Sequence, residues 1–208
     1  TYNWVGGASL GRFGAAGMQL DGWNNSLTAK KSWFMFDDQL VCLGSGITST
    51  DNRPIETIVE NRLLNPTGNN ALTVDGQVQP ATPGWSDTMS GVRWAHLAGR
   101  VSGADIGYFF PTAPTVKALR DPRTGAWSDI NTGGSSAPLA RAYLTLWFDH
   151  GANPANASYA YVLLPGRTVA QTADYAARPP IAVLENSSSA QAVRDVALGV
   201  TAANFWND

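Results

Sequence analysis

The sequence is poor in the residue types that carry most enzyme chemistry. Among its 208 residues there is one cysteine, Cys42, and there are two histidines, His96 and His150. A single cysteine excludes an internal disulfide and a zinc site built from cysteines. Charged residues make up 14% of the chain, well below the roughly 25% of an average soluble domain, and the net charge is -2. Because no strongly basic face is expected, binding to nucleic acid or to an anionic membrane is not predicted.

Other signatures are missing as well. No apolar run approaches the roughly 20 residues that span a bilayer. The chain carries no Gly-x-Ser-x-Gly, His-Glu-x-x-His or Walker-type motif, and the glycines near its start lack the spacing of a nucleotide loop. We therefore predict no cofactor and no metal site. Since the chain opens on Thr1 without a methionine, we expect a processed chain or an excised piece.

Glycine, proline and tryptophan are abundant, with 21, 12 and 8 residues. Apolar residues mostly recur with a period of two, which is typical of half-buried strands. In residues 55–63, for example, Ile55, Thr57, Val59 and Leu63 share one face, and the charged side chains share the other. The predicted strands lie at residues 32–36, 39–43, 55–63, 71–74, 92–97, 106–110, 115–119, 139–148, 159–164 and 181–184.

Turn signals separate these strands at short intervals. Asp37-Asp38 splits two apolar runs and predicts a hairpin, and Asp75-Gly76 suits a tight hairpin turn. Many short strands at this spacing favour an all-β fold, an antiparallel β-sandwich. Residues 15–20 could form a short helix. Residues 190–205 fit a helix or strands equally well, because the segment is rich both in alanine and in valine.

Candidate catalytic residues are few. His96 is interpreted as a hydrogen-bonded strand residue, and His150 as part of a turn-stabilising pair with Asp149, although either could in principle be a general base. Glu56 and Glu60 share the polar face of one predicted strand, which is expected to be solvated.

Aromatic residues beside turns are the stronger signal. Trp23, Trp85 and Trp127 each lie next to turn residues, and Trp127 follows Arg120 and Arg123. Aromatic faces together with arginine are the chemistry that binds acidic sugars, by stacking and by bidentate contacts to carboxylates. The alternative is that these tryptophans cap the open ends of a sandwich core.

A series of motifs resembles one family, the bacterial polysaccharide lyases that include hyaluronate lyase, chondroitin AC lyase and xanthan lyase. The motifs run in order from about Gly6 to Trp206, so the resemblance covers nearly the whole chain. They are Lys-Lys-Ser-Trp-Phe-Met-Phe-Asp-Asp at 30–38, Leu-Gly-Ser-Gly-Ile at 43–47, Glu-Thr-Ile-Val-Glu-Asn-Arg at 56–62, Trp-Ala-His at 94–96, Gly-Tyr-Phe-Phe-Pro at 107–111, Gly-Ala-Trp-Ser-Asp-Ile-Asn at 125–131, Asp-His-Gly at 149–151, Asn-Pro at 153–154 and Tyr-Ala-Tyr-Val-Leu-Leu-Pro at 159–165.

The resemblance implies a fold and an activity. Members have an N-terminal α/α-toroid followed by antiparallel sheet domains, and they cleave glycosidic bonds at uronic acids by β-elimination. Residues 1–208 are then expected to be the central β-sandwich, a super-sandwich related to galactose mutarotase, with the toroid and the C-terminal β domain absent from the chain. The family's catalytic asparagine, histidine, tyrosine and arginine would lie upstream, so no catalytic residue is predicted in this chain.

The parent protein is therefore expected to be a secreted bacterial lyase. Its partners would be an acidic polysaccharide and the remaining segments of the same lyase. Arg120, Arg123 and Trp127 are the predicted substrate-binding residues, on one wall of the cleft. Two alternatives remain open, which are a stand-alone carbohydrate-binding module and a structural domain that braces the catalytic toroid.

Overall fold

The structure, a computed structural model, describes residues 4–206, so Thr1, at which the chain opens, lies outside the described residues. Within that range the strands, in chain order, are β1 (Val5–Ser9), β2 (Phe13–Asp21), β3 (Thr28–Phe36), β4 (Gln39–Thr48), β5 (Pro54–Leu63), β6 (Leu72–Val74), β7 (Gln77–Val78), β8 (Ser86–Met89), β9 (Trp94–Leu97), β10 (Ile106–Phe109), β11 (Val116–Gly125), β12 (Leu139–Ala152), β13 (Ala157–Pro165), β14 (Ile181–Asn186), β15 (Ala190–Asp195) and β16 (Val200–Phe205). One α-helix, α1, spans Val169–Ala177, and a 3-10 turn spans Trp127–Asp129.

The strands form three antiparallel sheets. Among the described residues, the large sheet has the order β1-β2-β3-β4-β13-β10-β9-β6-β7, a four-stranded sheet has the order β5-β12-β11-β8, and a small sheet has the order β14-β15-β16. One apolar core joins the large and four-stranded sheets, and a second joins the other face of the large sheet to the small sheet and α1. The predicted antiparallel β-sandwich is confirmed.

Local turn chemistry explains two of the hairpins. Asp37 between β3 and β4 has a φ of 51°, and Asp75 and Gly76 between β6 and β7 have φ values of 46° and 84°. Two-residue hairpin turns require left-handed backbone, which glycine and short polar residues such as aspartate tolerate. The residues at both turns therefore suit the hairpins that they connect. Both predicted hairpins are confirmed.

The prediction of a short helix at residues 15–20 is wrong, because these residues lie in β2. That strand is paired on both sides, with β1 and with β3. Gly17 lets the backbone approach the small sheet, because a Cβ atom there would lie 2.8 Å from Nδ2 of Asn204. Residues 190–205 form the strands β15 and β16, joined by a turn in which Asp195 accepts hydrogen bonds from the amides of Ala197 and Leu198.

Helix α1 was not predicted, although the sequence contains its start signal. Thr168 accepts a hydrogen bond from the amide of Gln171, whose side chain accepts one from the amide of Thr168. This reciprocal capping box is recognisable as a Thr-x-x-Gln pattern. Thr172 packs against Gly107 of β10, where a Cβ atom would lie 2.3 Å from its hydroxyl oxygen.

A β-bulge in β5 reverses the face on which Glu60 lies. The pairing of β5 with β12 shifts register between Leu146 and Trp147, so that Val59 and Glu60 both face the sandwich interior. A strict period of two predicts Glu60 on the solvated face, but a bulge turns two successive side chains to the same side. The carboxylate of Glu60 then accepts hydrogen bonds from the hydroxyl of Tyr108, at 2.6 Å, and from Nε of Arg62, at 2.9 Å.

The Tyr108–Glu60 contact links the two sheets across the core. Burial and the adjacent Glu60 carboxylate raise the pKa of Tyr108, so its hydroxyl stays protonated and donates. We expect Tyr108→Phe to lower the free energy of unfolding by about 1–3 kcal/mol, since the partly buried carboxylate of Glu60 loses one donor. Urea denaturation measures this. Tyr143→Phe, on the outer face of the four-stranded sheet, is the control and should change the free energy of unfolding by less than about 0.5 kcal/mol. Equal effects of the two substitutions would contradict a stabilising role of the Tyr108–Glu60 hydrogen bond.

A buried polar network fastens the small sheet to the large one. The Ser32 hydroxyl donates to Oε1 of Gln191 at 2.5 Å and accepts from Nδ2 of Asn204 at 2.9 Å. Nε2 of Gln191 also donates to the Ser45 hydroxyl, at 3.1 Å. Since buried amides need these partners, the network fixes the position of β15 and β16 on the sheet.

Cys42 lies in the core, with 1% of its surface exposed. Burial raises the pKa of its thiol to about 12, so the thiolate is scarce at neutral pH. We expect no reaction with a maleimide until the protein is unfolded with urea, as followed by intact-mass spectrometry. Rapid labelling of the folded protein would show that this part of the core opens.

Candidate saccharide-binding surface

The long β11–β12 hairpin presents a polar outer face to solvent. β11 pairs with β12 from Lys117 opposite Trp147 to Gly125 opposite Leu139. Leu144 and Leu146 of β12 are fully buried in the sandwich. Because side chains alternate along a strand, the residues between them and beyond them on β12 point outward.

The loop at the tip of this hairpin, residues 126–138, is held by its own backbone contacts. The Asp129 carboxylate accepts a hydrogen bond from the amide of Ala126, at 2.7 Å, and the amide of Ser128 donates to the carbonyl of Ser135. Gly134 packs closely on the Trp127 backbone, with space for no Cβ atom. The backbone of Trp127 is therefore fixed, while 57% of this residue is exposed.

Arg123 is held in a single orientation on the outer face. Its Nε donates to Asp121 at 2.8 Å, Nη1 to the side-chain oxygen of Asn61 at 2.9 Å, and Nη2 to the hydroxyl of Thr145 at 3.0 Å. The guanidinium lies 4.5 Å from the ring centroid of Tyr143. A guanidinium stacked and hydrogen-bonded in this way loses little further entropy when it binds an anion.

Arg141 lies directly opposite Arg123 in the hairpin, a position that the sequence analysis missed. Like charges facing each other across a strand pair are unfavourable in the absence of an anion. The positive charge of Arg123 is neutralised by its ion pair with Asp121, whereas no carboxylate among residues 4–206 lies within 4.0 Å of Arg141. The sequence contains a signal for Arg141: if residues 115–125 and 139–148 are paired as antiparallel strands joined by the turn-rich segment 126–138, Arg141 falls opposite Arg123.

Arg120, by contrast, is not part of this surface. Only 2% of the residue is exposed, and its guanidinium donates to the carbonyls of Pro80, Gly68 and Asn70 at 2.8–2.9 Å. Arg120 lies one position before Asp121 and three before Arg123 on β11. Because side chains an odd number of positions apart point to opposite faces of a strand, Arg120 faces the interior and binds loop backbone instead. The burial of Arg120 keeps its guanidinium away from this outer face, and the substrate contacts of Arg120, Arg123 and Trp127 stay predictions.

Neither histidine lies in a catalytic arrangement. His96, 2% exposed, contacts the carbonyl of Arg167 at 3.0 Å and Asp105 at 3.2 Å, as expected of a hydrogen-bonded strand residue. His150 contacts the hydroxyl of Thr57 at 2.8 Å, and burial lowers its pKa.

The predicted pair of His150 with Asp149 does not form. Asp149 binds Lys117 at 2.6 Å and the amide of Gly151 at 2.8 Å, and these contacts lower the pKa of its carboxyl. The carboxylate points to the other face of the strand, as alternation requires.

Two other kinds of feature are absent from residues 4–206. Within the described range 4–206, no group of three or more His, Cys, Asp or Glu side chains is arranged to hold a metal ion. The one α-helix of that range is too short to cross a membrane.

The fold and the surface define the class of protein, an antiparallel β-sandwich with a third, small sheet and with a cationic and aromatic outer face on the β11–β12 hairpin. Residues 1–176 match the super-sandwich domain of polysaccharide lyase family 8, and residues 182–208 match the C-terminal β-sandwich domain of the same family. The chain therefore belongs to polysaccharide lyase family 8.

Individual relatives agree with this assignment. Xanthan lyase of a Bacillus species is 50% identical over 95% of this chain, and hyaluronate lyase of Thermasporomyces composti is 41% identical over 99%. The solved structure of Paenibacillus xanthan lyase superposes on 99% of the chain with a TM-score of 0.97 and 57% identity. The chain spans 22% and 26% of the first two proteins and 20% of the third.

The small sheet coincides with the second family match. The first match ends at residue 176, in the last turn of α1, and the second begins at residue 182, at the start of β14. The expectation that residues 1–208 form one central domain stays a prediction.

Proposed function

We propose that this chain is the sheet region of a longer, secreted bacterial lyase that cleaves a uronic-acid-containing polysaccharide by β-elimination. The observation that carries the proposal is the similarity to Paenibacillus xanthan lyase along 99% of the chain. Further support comes from relatives named as hyaluronate lyase and chondroitinase AC, each matched over at least 98% of this chain.

In that lyase, the outer face of the β11–β12 hairpin would form one wall of the substrate cleft. Arg123, which hydrogen bonds hold in place, and the exposed Arg141 supply cationic groups for the carboxylates of the polysaccharide, and Trp127 supplies an exposed ring for stacking on a sugar. The groups that remove and return the proton lie outside residues 1–208, together with the helical toroid. The sheet therefore contributes binding and orientation rather than proton transfer.

A lyase assay on two samples tests this proposal. The unsaturated uronide product is followed by ultraviolet absorbance with xanthan-derived substrate, hyaluronan and chondroitin, for residues 1–208 and for the longer protein. We expect product from at least one substrate with the longer protein and none with residues 1–208, whose purity is checked by intact mass. Product from residues 1–208 would contradict the location of the active site, and no product from the longer protein would contradict the activity.

Trp127 favours a second candidate function, in which residues 1–208 bind saccharide without the rest of the lyase. Its ring is exposed on a loop that internal hydrogen bonds hold in place, as sugar-stacking residues require. Isothermal titration with acidic oligosaccharides tests this. Saturable binding that Trp127→Ala abolishes, and that Trp23→Ala leaves unchanged, would support it; Trp23 is a matched control because 94% of it is exposed on a different loop.

A further inference from the structure

Asn61 of β5 lies on the outer face of the four-stranded sheet, where it is exposed to solvent. The bulge in β5 places it there, because Val59 and Glu60 both face the interior and the side chain after them points outward. Without the bulge, alternation would put Asn61 on the inner face together with Val59. Across the sheet Asn61 is paired with Thr145 of β12, next to the guanidinium of Arg123.

The neighbours of Asn61 fix the orientation of its amide. Nη1 of Arg123 donates to Oδ1 of Asn61 at 2.9 Å, and the Thr145 hydroxyl donates to the same oxygen at 3.2 Å. Because a guanidinium has donors and no acceptor, the amide atom that faces it must be the oxygen. The Thr145 hydroxyl in turn accepts from Nη2 of Arg123 at 3.0 Å, which leaves its own proton for Asn61. Nδ2 of Asn61 is therefore the end of the amide that faces neither partner.

Several N–H groups at this place are left for a ligand. Arg123 uses its Nε–H for Asp121 and one N–H on each terminal nitrogen for Asn61 and Thr145. Since each terminal nitrogen carries a second N–H, one remains on Nη1 and one on Nη2. Among residues 4–206, no protein atom accepts a hydrogen bond from Nδ2 of Asn61. The amide and the guanidinium therefore present unused donors side by side, while Oδ1 of Asn61 is already occupied.

We propose that Asn61 is a further substrate-binding residue, whose Nδ2 binds one carboxylate of the polysaccharide together with the remaining N–H groups of Arg123. An ionised carboxylate accepts hydrogen bonds and donates none, so it is complementary to a group of unused donors. Because Oδ1 is held by two donors, the amide loses little further entropy when Nδ2 binds.

The carboxylate belongs to a uronate away from the cleaved bond, because the groups that transfer the proton are proposed to lie outside residues 1–208. The role of Asn61 rests on the proposed function for the position of this face in the substrate cleft. It concerns binding alone, however, and does not require that the protein cleaves the ligand.

Asn61→Asp in the longer protein separates binding from a structural role. The aspartate carboxylate accepts the same hydrogen bonds from Arg123 and Thr145, so the urea midpoint of unfolding should be unchanged or higher. It replaces Nδ2 by an oxygen, which removes the donor and adds a negative charge beside the ligand. We expect the dissociation constant for an acidic oligosaccharide to rise at least about 10-fold, the lower end of the loss for one hydrogen bond to a charged group.

Isothermal titration measures this with oligosaccharides that remain after exhaustive digestion of hyaluronan, chondroitin or xanthan-derived substrate, so that no cleavage occurs during the titration. If the longer protein forms no product, undigested oligosaccharides are used. The same oligosaccharides with their carboxyl groups reduced to alcohols should show a change of less than about twofold, because they carry no charged acceptor. Asn156→Asp makes the same change of charge at an exposed loop next to the large sheet and should also have an effect of less than about twofold.

Three outcomes would overturn the role of Asn61. They are an unchanged affinity for the acidic oligosaccharide, an equal loss of affinity for the acidic and the carboxyl-reduced forms, and a lower urea midpoint of the Asn61→Asp protein. Asn61→Ser removes Nδ2 without adding a charge and decides the matter if the aspartate protein does not fold, since it too should weaken only the acidic ligand. A longer protein that binds through Asn61 but forms no product would contradict the lyase activity and leave this binding role intact. No binding of any oligosaccharide by the unsubstituted protein would overturn both.

Discussion

Arg120→Leu is expected to lower the free energy of unfolding by about 3 kcal/mol or more. The guanidinium is the donor for three backbone carbonyls, those of Gly68, Asn70 and Pro80. A leucine would remove the donor from all three carbonyls, of which those of Gly68 and Asn70 are buried, and each unpaired buried acceptor costs about 1–3 kcal/mol. Since whole domains are stable by only about 5–15 kcal/mol, this is a large fraction of the total. Urea denaturation followed by tryptophan fluorescence measures it.

Two further variants show whether the geometry of the guanidinium matters. Arg120→Lys keeps the charge but replaces a planar fork by a point donor, so an intermediate loss of stability is expected. Arg100→Leu removes an exposed arginine and should change the free energy of unfolding by less than about 0.5 kcal/mol. Equal stability of the Arg120→Leu protein and the unsubstituted protein would mean that these loops are not held by Arg120.

Arg141→Ala in the longer lyase is expected to lower kcat/KM by about 10- to 100-fold. A hydrogen bond to a charged group contributes about 1.5–3 kcal/mol, which corresponds to that range. Arg141 is exposed, and its Nη1 donates a hydrogen bond to the carbonyl of the preceding residue, Ala140, a local contact that a substrate carboxylate can replace. Initial rates at several substrate concentrations separate the effect on KM from that on kcat.

The neighbouring arginine provides a comparison. Arg123→Ala should lower kcat/KM and also loosen the outer face, because Arg123 joins Asp121, Asn61 and Thr145. Arg194→Ala, on the small sheet, is the control and should leave both constants unchanged. An Arg141→Ala protein with unaltered kcat/KM on every cleaved polysaccharide would remove this residue from the cleft wall.

The period of the apolar residues was sufficient to predict a hairpin where its strands are regular and its turn is short. The hairpin of β3 and β4 was predicted because apolar runs flank Asp37-Asp38, and the turn at Asp75-Gly76 follows from the backbone freedom of these residues. Periodicity failed in β5, because the bulge beside Val59 exists only in the pairing with β12. It failed at residues 15–20 because tertiary pairing on both sides overrides the helix propensity of alanine.

The sequence by itself determined the fold class, the family and the kinds of side chain available for binding an acidic sugar. These follow from local patterns, since alternation, turn residues and motifs can be read along the chain. Only the tertiary structure decided which arginines reach the surface, where an acidic sugar could contact them. Arg120 and Arg123 lie three residues apart on β11, yet alternation places one guanidinium in the core and the other on the surface. Arg141 joins Arg123 through antiparallel register, which depends on where both strands begin and therefore on the whole sheet.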